Sequence, residues 1–364
     1  MTTDRRPRLA RRAATALVLL FIIACAPPPA GAQTPDKTAD TSPSVERLAL
    51  PGRDWALDLT LPGFVNILDS YSKESNERTL MAGPVVRKNV HSLMIRMLPA
   101  QGGGGADEYR AHLIASSKKL GNTSSLRSYE YGGLPLLRHK FDILAAMGGP
   151  PGRAGYGAGP NMLHSLTAFL ARDGVWVAIT LWGVSKSIGG QDEKAFHAIL
   201  DTVKFVDTST PTTSFDFFHK GRGFYETGEY QKAAEFYGRA LDLERRERRL
   251  DAATWRRLVE EASRAYGLTG DLGRARETAE YGLSQDPDYP LFHLLMAIIH
   301  ASRDDLDATV AALQKAFANK AALPLAARLP DPRTYAPFRH FAKDERFRKA
   351  TKDMKPCGRL RIDS

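Results

Sequence analysis

Histidine, cysteine and paired carboxylates, the residue types that most often carry chemistry, occur in this chain without a catalytic or metal-binding spacing. The 364 residues include nine His and two Cys, and they contain no His-Glu-x-x-His, Gly-x-Ser-x-Gly or Cys-x-x-Cys motif. The acidic stretch Asp304–Asp307 resembles the start of a calcium-binding loop, but the Gly and the terminal Glu of such a loop are missing. We therefore predict a protein that is not an enzyme and that holds no cofactor or metal.

Two glycine-rich segments invite comparison with phosphate-binding loops, but neither has the required order of residues. Gln101–Gly105 is QGGGG, whereas such loops have Gly-x-x-x-x-Gly-Lys-Ser/Thr or Gly-x-Gly-x-x-Gly. We interpret this segment as a connection between a strand and a helix. Gly148–Pro160 is a long connection between two predicted strands, and we interpret it as a hairpin tip.

Charge and composition exclude further classes of protein. The hydrophobic fraction of 43% and the charged fraction of 25% are typical of a globular chain. The net charge is +10, and the five Arg and one Asp of the first 32 residues account for +4 of it. The four Arg between Arg245 and Arg249 alternate with Glu244 and Glu247. This pattern favours ion pairs on a solvated helix face, and we predict no nucleic-acid partner.

The first 32 residues have the composition of a secretory signal peptide. Met1–Arg12 is basic, Ala13–Ala26 is uncharged, and Ala30–Ala32 is a small-residue exit site. As a helix the uncharged run reaches about 21 Å, which is too short for a hydrocarbon core of about 30 Å. We therefore expect an exported protein that is periplasmic or secreted.

Two processing sites compete within this segment. Cleavage after Ala32 would leave Gln33 as the first residue, and this is the site that we favour. Alternatively, Ile22–Cys25 resembles a bacterial lipobox, so that acylated Cys25 would begin an outer-membrane or cell-surface lipoprotein. Residues 33–44 are polar and contain prolines, and we predict a flexible tether there.

Residues 45–207 alternate apolar and polar side chains in short runs that predict strands. Two stretches, Ala106–Leu120 and Gln191–Thr202, instead place apolar residues on one helical face. We predict an α+β domain with a mostly antiparallel sheet and two helices. The predicted strands are Trp55–Leu61, Thr79–Arg87, His91–Leu98, Arg127–Tyr131, Leu134–Leu144, Met162–Arg172, Val175–Val184 and Val203–Val206.

This N-terminal domain resembles the PsbP-like superfamily. The resemblance lies in the opening Leu50–Trp55, the middle helix, and the closing strand–helix–strand that ends with Ile199–Phe205. It implies an α/β sandwich of a kind found in exported proteins, whose members mostly bind or stabilise partners. No enzyme site carries over to this chain.

After a polar linker at residues 208–214, the periodicity becomes helical over residues 215–320. Gly221, Phe224, Gly228, Ala233, Tyr237 and Ala240 follow the spacing of a tetratricopeptide repeat. The equivalent small residues Ala233, Ala275 and Thr309 are 42 and 34 positions apart, and 34 is the length of that repeat. The resemblance implies three helical hairpins in an all-α solenoid. We attribute the eight extra residues near 244–251 to a helix extended by about two turns.

Residues 321–364 are predicted to be a capping segment and a basic tail. Within them, residues 331–348 resemble the short closing element that follows the last repeat in many such proteins. A solenoid needs a polar cap, and the charged side chains of this segment supply one.

The family resemblance also implies which side chains face the concave surface of the solenoid, where partners bind. We predict partner binding by Phe218, Arg222, Tyr225, Arg257, Glu260 and Arg264. The complete strips implied by the resemblance are Phe215, Phe218, Arg222 and Tyr225; Arg257, Glu260, Arg264 and Gly267; and Leu291, Leu294, Ile298 and Ala301. The third strip fits the core of a short solenoid equally well.

Arg222 and Arg264 occupy the same motif position in consecutive repeats, and Arg257 lies one turn from the matching site. Their guanidinium groups would hold a carboxylate, which predicts a protein or peptide partner of acidic character. The alternative is that these arginines pair with Glu226 and Glu260 on the repeat surface. The sequence leaves both possibilities open.

The function predicted from these features is that of an exported cell-envelope protein that binds or scaffolds other proteins through its repeats. The alternative is a small-ligand-binding or enzymatic N-terminal domain with the repeats as a docking arm. Fold similarity does not decide between them.

Overall fold

A computed structural model describes seven stretches of the chain. The predicted signal peptide with Cys25, the tether, and the hairpin tip Gly148–Pro160 lie outside them. The described residues are 45–84, 91–100, 104–119, 123–142, 162–184, 188–324 and 327–358.

The chain divides into two compact units. One, the sheet unit, is built on Asp58–Lys204. The other, the helical unit, consists of Phe205–Leu360 together with Arg47–Leu57. From the sequence we assigned Arg47–Leu57 to the N-terminal domain, whereas in the structure this segment belongs with the helices.

In the described chain, the strands form one large antiparallel sheet, a smaller sheet and, near the C-terminus, a two-stranded antiparallel sheet. The large sheet has seven strands in the order β3-β4-β5-β9-β8-β7-β6, and the smaller sheet has the order β1-β2-β10. The strands are β1 (Val45–Leu48), β2 (Trp55–Thr60), β3 (Phe64–Ser72), β4 (Glu77–Pro84), β5 (Ser92–Pro99), β6 (Thr123–Tyr131), β7 (Leu134–Asp142), β8 (Met162–Arg172), β9 (Val175–Val184) and β10 (Lys204–Asp207).

Tight turns set the register of the sheet. Arg172 pairs with Val175 across the β8–β9 hairpin. The two residues between them, Asp173 and Gly174, have φ angles of 48° and 73°. Positive φ at both central positions is the geometry that two-residue hairpins prefer, and it favours Asp-Gly.

One helix packs on each face of the seven-stranded sheet. On α1 (Ala106–Lys119), Tyr109 stacks on Trp176 with ring centroids 4.8 Å apart. On the opposite face, Arg138 of β7 donates to Glu193 of α2 (Gly190–Leu200) at 2.6 Å. These elements confirm the predicted α+β architecture. Two of its strands are missing from the prediction: β1, which has only four residues, and β3, whose sequence FVNILDSYS lacks a regular alternation.

Six helices in three antiparallel pairs form the body of the helical unit, as predicted. They are α3 (Ser214–Thr227), α4 (Tyr230–Arg246), α5 (Ala252–Leu268), α6 (Leu272–Gln285), α7 (Pro290–Ala301) and α8 (Leu306–Ala318). Beyond them lie β11 (Arg328–Leu329), a 3-10 turn (Ala336–Phe341), α9 (Glu345–Thr351) and β12 (Cys357–Gly358).

Small residues let the paired helices approach, as the repeat register requires. Ala233, Ala275 and Thr309 are each 0% exposed. A Cβ added at Gly221 would lie 2.7 Å from the ring of Tyr237 on the facing helix, so a larger residue there would push α3 and α4 apart. The register predicted from the 34-residue spacing is therefore confirmed.

Aspartates begin several of these helices. Asp251 accepts hydrogen bonds from Ala253 N and Thr254 N at the start of α5. Asp305 accepts one from Ala308 N at 3.0 Å, at the start of α8. The acidic stretch Asp304–Asp307 thus has a structural role, because an aspartate at this position satisfies backbone donors that the helix leaves unpaired.

The helix extension predicted for residues 244–251 is wrong for a single helix, because the extra length is divided between α4 and α5, which have 17 residues each against 14 in α6. Helix α4 ends at Arg246, and a loop leads to α5 at Ala252. The cause is Glu244, which is 3% exposed. Its carboxylate accepts hydrogen bonds from the backbone N–H groups of Arg249 and Leu250, both at 3.2 Å. These bonds hold the backbone after Arg246 in a loop, and the helix therefore ends there.

Arg47 and Lys220 hold the segment Arg47–Leu57 against α3. The Arg47 Nη1 atom lies 2.5 Å from Asp216 Oδ1, and its guanidinium group lies 4.6 Å from the ring centroid of Phe215. Lys220 Nζ lies 3.4 Å from Asp54 Oδ1. The first helix of the solenoid is therefore covered by chain that is far away in sequence.

The Asp216 carboxylate should make the helical unit sensitive to acid. Burial tends to raise its pKa, but hydrogen bonds from Arg47 and Thr213 outweigh burial and lower the pKa to about 2. The unfolded value is about 3.9, so the unfolded chain binds the proton more readily. Stability from this group is complete above about pH 4 and is lost as the pH falls towards 2.

We therefore expect the free energy of unfolding of Asp216→Asn to fall less than that of wild type between pH 4 and pH 2. The measurement is thermal unfolding of wild type and variant at several pH values. Asp288→Asn, at an exposed position, is the matched control. Parallel profiles for wild type and Asp216→Asn would contradict the role of the Arg47 contact.

Candidate protein-binding site

Arg222, one of the predicted groove residues, lies in a buried ion-pair cluster between α3 and α5. It is 7% exposed, with Nη2 3.5 Å from Glu226 Oε1 and Nε 3.5 Å from Glu261 Oε1. Glu261 also accepts a hydrogen bond of 2.7 Å from the hydroxyl of Tyr237. The guanidinium charge is thus used to join two helices of the solenoid.

Glu260 and Arg264 form a second cluster, between α5 and α7. Arg264 Nη2 lies 3.1 Å from Glu260 Oε2, and the Tyr289 hydroxyl donates to Glu260 Oε1 at 2.7 Å. Burial raises the pKa of the Glu260 carboxyl above its ordinary value. The side chain of Arg264 remains 41% exposed, so this cluster reaches the surface.

The arginine–glutamate pairing left open by the sequence is therefore observed, but Arg222 and Glu260 are buried and do not lie on the repeat surface. Arg222 pairs with Glu226, and Arg264 pairs with Glu260. A partner carboxylate would have to displace these acids. The structure does not show two unpaired guanidinium groups aimed into one groove.

The other predicted binding residues differ in accessibility. Phe218 is 1% exposed and belongs to the core of the helical unit, which corrects its assignment to a surface contact. Tyr225 and Arg257 are half-buried, and Tyr225 packs edge-on against Tyr230 with ring centroids 5.3 Å apart. Tyr225, Arg257 and Arg264 thus remain candidates for contact with a partner.

The third predicted strip is core. Leu291, Leu294 and Ala301 are 7%, 5% and 3% exposed. Helix α7, which carries them, contacts the 3-10 turn and β11 of the C-terminal segment. The aromatic side chains Phe338, Phe341 and Phe347 of that segment are buried in the same core. The C-terminal segment therefore closes the concave surface of the third repeat.

Three site residues were missed by the sequence analysis. Glu261 and Tyr289 hold the arginine–glutamate clusters together, and Tyr335 of the C-terminal segment lies within electrostatic range of Tyr225 and Arg264. Glu261 neighbours a predicted groove position and could have been found from the repeat register. Tyr335 could not, because no repeat pattern includes it.

The sheet unit carries a row of neutral polar groups. His139, Ser165, Trp182 and Ser92 are register partners across four neighbouring strands. Burial lowers the pKa of His139 to about 4, so the imidazole is neutral at neutral pH. Among the described residues, no group of three His, Cys, Asp or Glu side chains is placed to hold a metal ion, and no helix is long and apolar enough to cross a membrane.

Comparison with known proteins gives matches to solved structures alone. No protein-family model and no curated protein matches the chain. A structure of PcrH, a protein of Pseudomonas aeruginosa, with the chaperone-binding region of PopB is 21% identical; the match covers 31% of this chain and 85% of that chain, with a TM-score of 0.27.

Two further solved structures are similar to parts of the chain. The tetratricopeptide domain of Sgt2 from Aspergillus fumigatus is 17% identical, covering 43% of this chain and 93% of that chain, with a TM-score of 0.29. Cyanobacterial PsbP from Synechocystis is 11% identical, covering 48% of this chain and 98% of that chain, with a TM-score of 0.28.

The contacts within the chain itself define its class. The paired helices, the buried small residues at their crossings and the 34-residue spacing give the helical unit the architecture of a three-repeat tetratricopeptide solenoid. The sheet unit is an antiparallel sheet with a helix on each face.

Arg222 and Arg264 should differ sharply in their effect on stability. Arg222→Ala leaves Glu226 and Glu261 without their buried counter-charge, and we expect a loss of about 3 kcal/mol. Arg264→Ala removes a half-exposed partner of Glu260, and we expect a loss of about 1 kcal/mol or less. Urea unfolding followed by circular dichroism measures both, and equal losses would show that Arg222 is not a structural residue.

Proposed function

We propose that the protein is exported to the cell envelope and acts there as a binding or scaffold module for another protein through its helical repeats. The composition of residues 1–32 supports export. N-terminal sequencing and intact mass of the mature protein test it and separate cleavage after Ala32 from acylation of Cys25. A chain in the envelope fraction that retains Met1–Arg12 would contradict export.

The proposal rests on a strip of side chains on α5 that reaches the surface. Arg257, Arg264 and Leu268 follow each other at spacings of seven and four, which places them on one face of the helix. Arg264 is 41% exposed in its side chain, and Leu268 is 54% exposed. Half-buried Tyr225 of α3 lies within electrostatic range of Arg264. Aromatic, apolar and arginine side chains together are typical of protein interfaces.

The repeat architecture supports the same function. Solenoids present extended concave surfaces, and their stability comes from contacts between neighbouring repeats. In this chain the third repeat is closed by the C-terminal segment, so the surface proposed for binding is the part formed by α3 and α5. A groove preference for acidic ligands at Arg222 is not part of the proposal, because Glu226 and Glu261 already pair with that residue.

The experiment is capture of partners from a cell-envelope extract by the full mature chain and by the variant Arg257→Ala, Arg264→Ala, Leu268→Ala. We expect the variant to retain at most about one tenth of the partner captured by wild type, because truncating several side chains at the centre of an interface costs at least a factor of ten. Circular dichroism checks that the fold is intact.

A variant with Lys232→Ala, Phe236→Ala and Arg239→Ala is the matched control. It also removes two cations and one apolar side chain, but from α4. Undiminished capture by the α5 variant would contradict binding by the strip. Equal losses in both variants would show that the location of the change does not matter.

A further inference from the structure

The strongest unassigned charge on the helical unit is a run of four arginines between the first and second repeats. Residues 245–249, RRERR, form the end of α4 and the start of the loop to α5, and we refer to them as the arginine loop. All five residues are exposed. The side chains of Arg245 and Arg249 are 45% and 64% exposed.

The acid that immediately precedes the arginine loop is withdrawn from this surface. Glu244 is buried, and its carboxylate accepts hydrogen bonds from the hydroxyl of Ser214 at 2.5 Å and from the N–H groups of Arg249 and Leu250. These bonds fix the path of the loop. They also keep the negative charge of Glu244 buried, so that this charge does not lie on the surface among the exposed arginines.

Two acids remain beside the four arginines. Glu247 lies 2.5 Å from Arg249, and Asp242 lies 3.6 Å from Arg245. Within the part of the chain that the structure describes, Arg246 and Arg248 have no carboxylate partner. The loop therefore presents a surplus of positive charge at a fixed place on the solenoid.

Aromatic rings orient two of these arginines. The guanidinium group of Arg248 lies 4.5 Å from the ring centroid of Trp255, and that of Arg245 lies 4.9 Å from the ring centroid of Tyr281. Such contacts hold the planar group in place. An arginine that is already oriented loses less conformational freedom when it binds an anion.

We propose that the arginine loop is a docking surface for an acidic segment of a protein partner, a proposal that rests on the protein-binding function proposed above. Planar guanidinium groups match the two oxygens of a carboxylate. The sequence predicted an acidic partner. We assign its binding to Arg246 and Arg248 and not to Arg222 and Arg264, because the latter two pair with glutamates within the repeats.

The surroundings of the loop favour a protein over a membrane or a nucleic acid. Binding to a membrane surface requires apolar side chains beside the cations, but the exposed large hydrophobic residues in the described chain are Val45, Leu68 and Leu268, none of them in or next to the loop. Single-stranded nucleic acids require exposed aromatic rings for stacking, and Trp255 is 1% exposed.

The test uses the full mature chain and a fluorescein-labelled deca-glutamate peptide, with affinity measured by fluorescence anisotropy. We expect Arg246→Glu with Arg248→Glu to weaken binding by at least about tenfold, because like charges at a docking surface oppose association. Wild-type affinity should fall as salt is raised, because the charges are exposed and screened.

The matched control is Arg274→Glu with Arg276→Glu on α6. These arginines are also exposed, but each pairs with an acid, Asp271 or Glu280. The control makes the same change in net charge, and we expect its affinity to stay within about threefold of wild type. An equal loss in both double variants would overturn the proposal, because it would show an effect of net charge alone.

Two further measurements keep the test decisive. If the Arg248 substitution disturbs the fold by circular dichroism, Arg246→Glu alone is used, because within the described chain the exposed Arg246 side chain makes no hydrogen bond, ion pair or ring contact. Binding to phosphatidylglycerol vesicles without binding to the peptide would overturn the proposal in favour of a membrane surface. Loss of partner capture by the α5 variant with unchanged peptide affinity in the loop variant would overturn the arginine loop while leaving the proposed function in place.

Discussion

The helical unit depends on burying α7, a helix that is apolar on nearly all sides. Ten of its twelve residues are buried, and a helix of this composition is unstable unless other elements surround it. In a long solenoid the next repeat would cover its exposed side. Here the C-terminal segment supplies Phe338, Phe341 and Phe347 to the same core. At the other end, Arg47–Leu57 covers α3. Both ends of the three-repeat array are thus closed by chain outside the repeats.

This closure determines where a partner has access. The concave strip of the third repeat is core, and Arg222 and Arg264 of the first two repeats are paired with glutamates of the helices. Arg222 bridges α3 and α5 through Glu261, and Glu260 links α5 to α7 through Tyr289. Buried ion pairs of this kind are poor ligands for an incoming charge, because displacing one partner leaves another buried charge uncompensated. Exposed positive charge is concentrated instead at the arginine loop. The buried carboxylate of Glu244 lies beside this loop and fixes its backbone by accepting hydrogen bonds.

Local pattern predicted much of this architecture. The two helices of the sheet unit, most strands and the positions of Ala233, Ala275 and Thr309 follow from periodicity and spacing, which are properties of neighbouring residues. The errors come from contacts between distant residues. Arg47 pairs with a residue 169 positions away. The alternating charges near Glu244 are compatible with a continuous helix, and only the burial of that carboxylate ends it. The spacing of Phe218 is the same for a groove residue and for a core residue. Of the six predicted binding residues, three remain accessible for contact.

Hydrogen–deuterium exchange of the full chain tests most directly whether the C-terminal segment is what buries α7. We expect α7 amides to be strongly protected in wild type and to lose protection in Phe338→Ala, because the helix then loses its cover and opens locally. Exchange in the seven-stranded sheet should not change. Phe196→Ala, which truncates a buried side chain of α2, should have the converse effect. Unchanged protection of α7 in Phe338→Ala would show that the C-terminal segment is not what buries α7, because the third repeat would then be stable without the segment that closes it.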